Sequence, residues 1–282
     1  MIYFCADDYG LCENVSMRIQ KLIDRGVLNK VSVFPNFLDV SNDEIFKNKS
    51  LRISLHLNLV EGKCMSDSKK IDLLSSPDGL FKNTFAGLLK LSLIYGKKFE
   101  DQAYEEIKTQ CLYWKGLLPE GVPFCIDSHQ HTHMIPGVFK AMMRVLEDEK
   151  IDVEYMRIPD EPILPFIKTP SLYLTYSGVN VIKQWILKIL WKINKRKKTP
   201  NSLFMGILFS GKMDEKRVLK ILLQYMKTAE KEDRDIEVLF HPGYLEDGEF
   251  DFKNTVFKKF YISRSRKTEY DSLIKLSERS VP

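Results

Sequence analysis

Two adjacent carboxylates, Asp7 and Asp8, follow an apolar run at the start of the chain, and the five histidines His56, His129, His131, His133 and His241 stand at or just beyond the ends of other such runs. A lone histidine is ordinarily a surface or core residue, and an Asp-Asp pair after a strand can simply end that strand and cap the next helix. Five histidines sharing one placement weaken the ordinary reading. Adjacent carboxylates also repel, and a nearby cation favours their ionised forms. In Asp127-Ser-His-Gln-His-Thr-His133, an extended backbone would set residues 127, 129, 131 and 133 on one face. Neutral imidazole is a common metal ligand, and two histidines with one carboxylate leave coordination positions open for water and substrate. An incomplete shell of that kind serves catalysis rather than structure.

The elements that must position these groups alternate. Apolar runs predict strands over residues 2–6, 31–35, 52–59, 123–128, 153–158, 203–208 and 236–240. Helical periodicity predicts helices over 15–23, 43–49, 99–117, 138–149, 179–194 and 214–232. Residues 63–84 read as a long polar excursion, and Pro159, Pro162, Pro165 and Pro170 forbid regular structure for some distance. The alternation predicts an α/β chain folded as a single-domain β/α barrel across residues 1–282, with a less regular insertion at about 163–205. A parallel barrel delivers the C-terminal ends of all its strands to one face, so motifs distant in sequence converge there.

The motifs resemble those of the YdjC-like carbohydrate deacetylases, which include the chitooligosaccharide deacetylases. Ala6-Asp-Asp-Tyr-Gly10 resembles the family's ADDFG, Ser54-Leu-His56 its strand-end histidine, Asp127-Ser-His-Gln-His-Thr-His-Met134 its DSHHHxHM, and His241-Pro242 its late HP. The match runs from about residue 2 to 245; residues 163–205 and the tail after Glu246 match least, and Gln130 stands where the family carries histidine. The resemblance implies an irregular, TIM-like barrel holding one divalent metal through Asp8, His56 and His129, with Asp7 as general base and a homodimeric assembly. It implies magnesium, while two imidazoles favour zinc. The reaction expected is hydrolysis of the acetamide of an N-acetylated sugar, with His241 protonating the departing amine. Arg157 would keep Asp7 ionised or stabilise the oxyanion, or form an ordinary salt bridge. His131 and His133 would support the ligands, touch substrate, or simply pack at a strand end.

Composition narrows the alternatives. Hydrophobic residues form 44% of the chain, enough for a packed core. The charge of +5 is spread out apart from a run at residues 192–198, a weak signal for nucleic acid. Five widely spaced cysteines without a CxxC pair predict a reduced, cytoplasmic protein. No secretory leader is read at the N-terminus, and no uncharged run approaches the ~20 residues of a membrane span. Two competing readings stay open: a metal-dependent phosphoesterase, and a membrane-surface or partner-binding protein using residues 179–198, where Trp185, Leu187, Ile189, Leu190, Trp191 and Ile193 mix with basic residues.

Overall fold

Strands buried on both faces need apolar residues at consecutive positions, and this chain supplies seven such runs. In the computed structural model, which describes residues 1–194, 202–249 and 258–279, they form β1 (Ile2–Tyr9), β2 (Lys30–Val33), β3 (Arg52–Leu57), β4 (Phe124–Ser128), β5 (Val153–Met156), β6 (Ser202–Met205) and β7 (Asp235–Phe240). All six pairings are parallel, in the order β5-β4-β3-β2-β1-β7-β6. The sheet curls until its two edges face each other. No backbone ladder among the described residues joins β5 to β6; instead Tyr155 on β5 hydrogen-bonds to Ser202 on β6, Oη to Oγ, at 2.7 Å. The result is an α/β barrel closed at its seam by side chains.

The helices are α1 (Glu13–Asp24), α2 (Phe85–Leu117), α3 (Pro136–Asp148), α4 (Leu164–Ile167), α5 (Gly178–Asn194), α6 (Glu215–Glu232), α7 (Lys258–Tyr261) and α8 (Arg264–Ser277). Helix α1 shows why the long ones form: Val15, Ile19, Leu22 and Ile23 recur at helical spacing and are buried, each burial stabilising by about 1.5–3 kcal/mol. Several boundaries differ from the sequence reading. Helix α2 starts at Phe85 rather than at 99, because Thr84 caps its first turn; Gly96, at φ +44°, then bends it. The helix expected over 43–49 is a single 3-10 turn, Glu44–Lys47. Strand β6 stops at Met205, since the backbone N–H groups of Gly206, Ile207 and Leu208 turn away to donate to the buried Glu161 carboxylate. The proline-rich stretch is not wholly irregular: Pro165 and Pro170 sit in the first turns of α4 and of a 3-10 helix (Pro170–Thr175), where a missing N–H costs nothing.

Helix α5 crosses the seam at the C-terminal ends of the strands. Its Asn194, Gln184 and Asn180 side chains donate to backbone carbonyls of Met134 after β4, Glu161 after β5, and Leu208 and Ser210 after β6. Helix α8 returns from the tail to the same end of the barrel.

Candidate metal centre and active site

Adjacent residues on a regular strand point to opposite faces, yet both carboxylates of the Asp7-Asp8 pair reach one imidazole. The reason is a bulge. Ala6 pairs with Val31 and Tyr9 with Val33, so Asp7 and Asp8 together oppose Ser32 alone, and Asp8 takes a left-handed backbone at φ +75°. Gly10, at φ +85°, completes the turn where a Cβ would lie 3.2 Å from the Phe34 carbonyl oxygen. Backbone strain of this kind is found at working sites, where the surrounding structure holds it. As a consequence His56 Nε2 lies 3.9 Å from Asp7 Oδ2 and 3.6 Å from Asp8 Oδ1.

The segment after β4 does not continue extended, so residues 127, 129, 131 and 133 do not share one face. The strand stops at Ser128, and His129–Met134 form a 3-10 turn in which Gln130 and His131 adopt left-handed backbones at φ +53° and +57°. Ser128 Oγ accepts the backbone N–H of His133, and its hydroxyl donates to His133 Nδ1 at 2.5 Å. His133 Nε2 must then donate to the Arg157 carbonyl oxygen, at 2.8 Å. Burial pushes this imidazole down to about 4, so it stays neutral. The three histidines therefore separate: His129 turns toward Asp8, His131 lies in the cleft wall with its ring edge-on to Phe204, and His133 is sealed beneath.

His129 Nδ1 is 3.3 Å from Asp8 Oδ1. Asp8, His56 and His129 thus bring one ligand atom each to within 4.8 Å of one another, all buried. Asp8 Oδ1 and His56 Nε2 have no hydrogen-bond partner, which is what a cation site requires of its donors. His56 Nδ1 donates to Asp127 Oδ1 at 2.6 Å, and Asp127 Oδ2 accepts from Ser32 at 2.5 Å; a carboxylate behind a histidine fixes the tautomer that leaves Nε2 free to ligate. Asp7, His56 and Asp127 form a second close group, but its donors are already spent. Arg157 donates to both oxygens of Asp7 at 2.8 and 2.9 Å, lies 3.2 Å from Asp127, and binds Glu237 through Nε at 2.7 Å. Only the first group fits a divalent ion.

Charge balance follows from these contacts. Burial works to raise the Asp7 carboxyl, but the Arg157 guanidinium and the His56 ring prevail and hold it well below the usual carboxylate range. Burial likewise works to lower His56, yet Asp7, Asp127 and Asp8 together bring it up to about 10 in the absence of an ion. That proton stands where a metal would stand.

A cavity of about 280 Å³ opens beside this cluster, lined by Asp7, His129, His131 and His241 on the strand side and by Phe85, Ile186, Leu187, Ile207, Phe260, Tyr261 and Arg266 around them. It lies near the lower end of the ~300–1,000 Å³ typical of small-molecule sites. His241 follows β7 and is anchored by Glu269 on α8, whose Oε2 accepts its backbone N–H at 2.5 Å. Arg157 is fully buried and does not line the cavity.

Sequence reasoning missed the groups that come from outside the motifs. Glu61, positioned by an Asn58 side chain that accepts its N–H at 3.1 Å, sits with Oε1 3.8 Å from His129 Nε2 and accepts from Tyr261 at 3.1 Å. Arg266 on α8 donates to Asp8 Oδ2 at 2.7 Å and lies over the Tyr261 ring at 4.2 Å, while its Nε and Nη1 are buried without a hydrogen-bond partner. A lone arginine in a charged amphipathic helix carries no sequence signal of such a role.

Fold and cluster together define a curled parallel β/α barrel with a candidate divalent-metal centre at the C-terminal ends of its strands. The chain belongs to the YdjC-like protein family, whose model matches residues 1–279. It is similar to a carbohydrate deacetylase of Danio rerio, 26% identical over 256 residues, an alignment covering 84% of this chain and 80% of that protein. A Mus musculus carbohydrate deacetylase is 29% identical over 158 residues, covering 55% of this chain and 49% of the relative. A Clostridium beijerinckii carbohydrate deacetylase is 24% identical over 187 residues, 64% of this chain and 71% of that one. The fold resembles the crystal structure of an Enterococcus faecalis V583 protein provisionally described as a cellobiose-phosphate cleavage protein, with a TM-score of 0.62 at 16% identity, covering 98% of this chain and 92% of that one.

Proposed function

We propose that this protein is a metal-dependent hydrolase that removes acetyl groups from N-acetylated sugars. The observation that carries the reading is the pair of buried, unpartnered ligand atoms, Asp8 Oδ1 and His56 Nε2, facing one another beside His129 at the wall of the cavity. Asp8, His56 and His129 would hold one divalent ion, which when bound supplies Lewis acidity toward an acetamide oxygen and a water of lowered pKa. The chain's own groups do the rest. Asp7, clamped by Arg157, stays ionised at every working pH. A carboxylate so depressed is a weak base, and it serves through position: it takes a proton only from a donor that is itself acidified. His241, which lines the same cavity as Asp7, gives a proton to the departing amine. The products are acetate and an amino sugar. The curated relatives named as carbohydrate deacetylases support the substrate class.

The phosphoesterase reading is weaker, because two-metal chemistry needs a second ligand set and Asp7 and Asp127 are committed to Arg157. Five free cysteines accord with the reducing cytoplasm that completes this reading; a homodimer rests on the family alone, and light scattering measures it.

The test is acetate release from a panel of N-acetylated mono- and oligosaccharides by metal-reconstituted protein, with bound metal measured by elemental analysis. Asp7→Asn should keep its metal and lose most turnover, whereas His56→Ala should lose both. Near-normal turnover in Asp7→Asn, or an empty site in that variant, would overturn the division of roles between Asp7 and Asp8.

A further inference from the structure

Helix α5 is apolar on both of its sides. Leu187, Leu190 and Trp191 are buried against the barrel, while Val179, Ile182, Trp185, Ile189 and Ile193 are each more than half exposed. The exposed set recurs at three- and four-residue spacing, so it forms one stripe along the helix rather than scattered contacts. Earlier in the same passage of the chain, Leu164, Ile167 and Leu174 are also exposed. A surface helix normally turns a polar face to water, and a continuous apolar one marks something that covers it.

Charge says what that is. Between Pro162 and Met213 the sequence has nine Lys and Arg residues and no Asp or Glu, so the chain's +5 is the difference between a +9 segment and a remainder of −4. On α5 itself, Lys183 and Lys192 flank the stripe on its two sides, and Lys188 lies beyond Lys192, 3.9 Å from Asp160. A second copy of the chain docked through the same face would bring these lysines together with no acidic residue in the segment to pair with them, a like-charge contact that costs rather than stabilises. An anionic lipid surface answers both halves of the pattern. Its acyl region takes the Trp and Ile side chains to a shallow depth, and its headgroups pair with lysines reaching up from the edges.

We propose that the outer face of α5 docks on an anionic lipid surface, the helix lying in the interface rather than crossing it. No described helix is long and apolar enough to cross a membrane. Because Lys183 and Ile186 of the same helix line the cavity, docking sets the mouth of the cleft at the lipid boundary.

The test uses the full chain and vesicles of phosphatidylcholine, alone or with phosphatidylglycerol. The protein should co-float with the anionic vesicles, not with the neutral ones, and release as salt rises. Ile182→Glu with Ile189→Glu should abolish co-flotation while leaving circular dichroism and thermal midpoint unchanged. Lys192→Gln should weaken partition roughly fivefold. In the unmutated chain, brominated lipid should quench tryptophan emission, and Trp185→Phe should remove that quenching, since Trp114 and Trp191 are buried. Absence of co-flotation, or co-flotation unchanged in the double variant, would overturn the proposal. So would a dimer in light scattering that the double variant converts to monomer, which would make the second copy the occupant.

Discussion

Asp7 and Asp8 are neighbours in sequence, and each is held by one arginine, but the two guanidiniums live in different surroundings. Arg157 rises from the end of β5 into the barrel interior, where Asp7, Asp127 and Glu237 take its Nη1, Nη2 and Nε. Lys30, 2.9 Å from Glu237, extends the same buried network downward. Arg266 comes from α8 on the far side of the cleft, gives Asp8 one bond, and lies over the Tyr261 and Phe260 rings at 4.2 and 4.8 Å with Nε and Nη1 buried and without a hydrogen bond. One arginine neutralises carboxylates that the barrel has already buried. The other pairs with a single carboxylate beside the cavity and has two donors without a hydrogen bond. A buried charge cluster holds shape because removing any member leaves the others uncompensated, whereas spare donors facing a cavity are worth most when charge develops in front of them.

The largest effect should come from breaking the inner cluster. Arg157→Met leaves three buried carboxylates short of counter-charge and should cost about 3–5 kcal/mol of stability in urea unfolding. A loss under about 1 kcal/mol would show that Lys30 and His56 suffice. Arg266→Gln should behave in the opposite sense: in the metal-loaded protein it should change the unfolding midpoint far less, yet lower kcat by roughly 10²–10³-fold if its spare donors meet the developing oxyanion. Because it also removes a cation beside Asp8, the same variant should bind divalent metal at least as tightly as the unmutated chain, read by calorimetric titration. A drop in metal affinity would make Arg266 a support for the ligand and nothing more. A smaller, pH-dependent difference separates the empty and loaded states. In the metal-free protein His56 is raised from 6.5 to about 10, so its contribution to stability is fully present below 6.5 and is lost as pH rises toward 10. Metal displaces that proton, so uptake at neutral pH should release about one proton, visible as a calorimetric enthalpy that varies with the buffer.

What the sequence made legible follows the same division. That Asp8, His56 and His129 share one end of the barrel was readable because each stands at or beyond the end of an apolar run, and parallel strands of a barrel share one end; their grouping as a ligand set came only from the family resemblance. The bulge that turns Asp7 and Asp8 the same way was not readable, since it depends on Ser32 being the single residue across the ladder. Nor was the left-handed turn at Gln130 and His131, which the Ser128–His133 hydrogen bonds stabilise after the strand has ended. Glu61, Tyr261, Glu269 and Arg266 act from a loop and from the returning tail. Their side chains are common surface types, and only long-range packing tells them apart from solvated ones. Gly96 is a similar case: a glycine inside a helical pattern gives no sign whether it is tolerated or marks the bend that lets α2 begin fourteen residues earlier than its periodicity indicates.

The seam between β5 and β6 has a consequence for how such a chain can vary. Registers that hold Asp8, His56 and His129 run through β1, β2, β3 and β4, and none of them crosses the seam. The long passage from β5 to β6 crosses a gap where no ladder has to be kept, bridged by Tyr155 and Ser202 and roofed by α5. Insertions, deletions and new surface chemistry can accumulate in that passage without shifting any strand by a residue. The barrel thus has one wall open to revision, next to the cleft whose mouth that wall helps to shape, and a new substrate or docking preference can be tried there while the candidate metal ligands stay where they are.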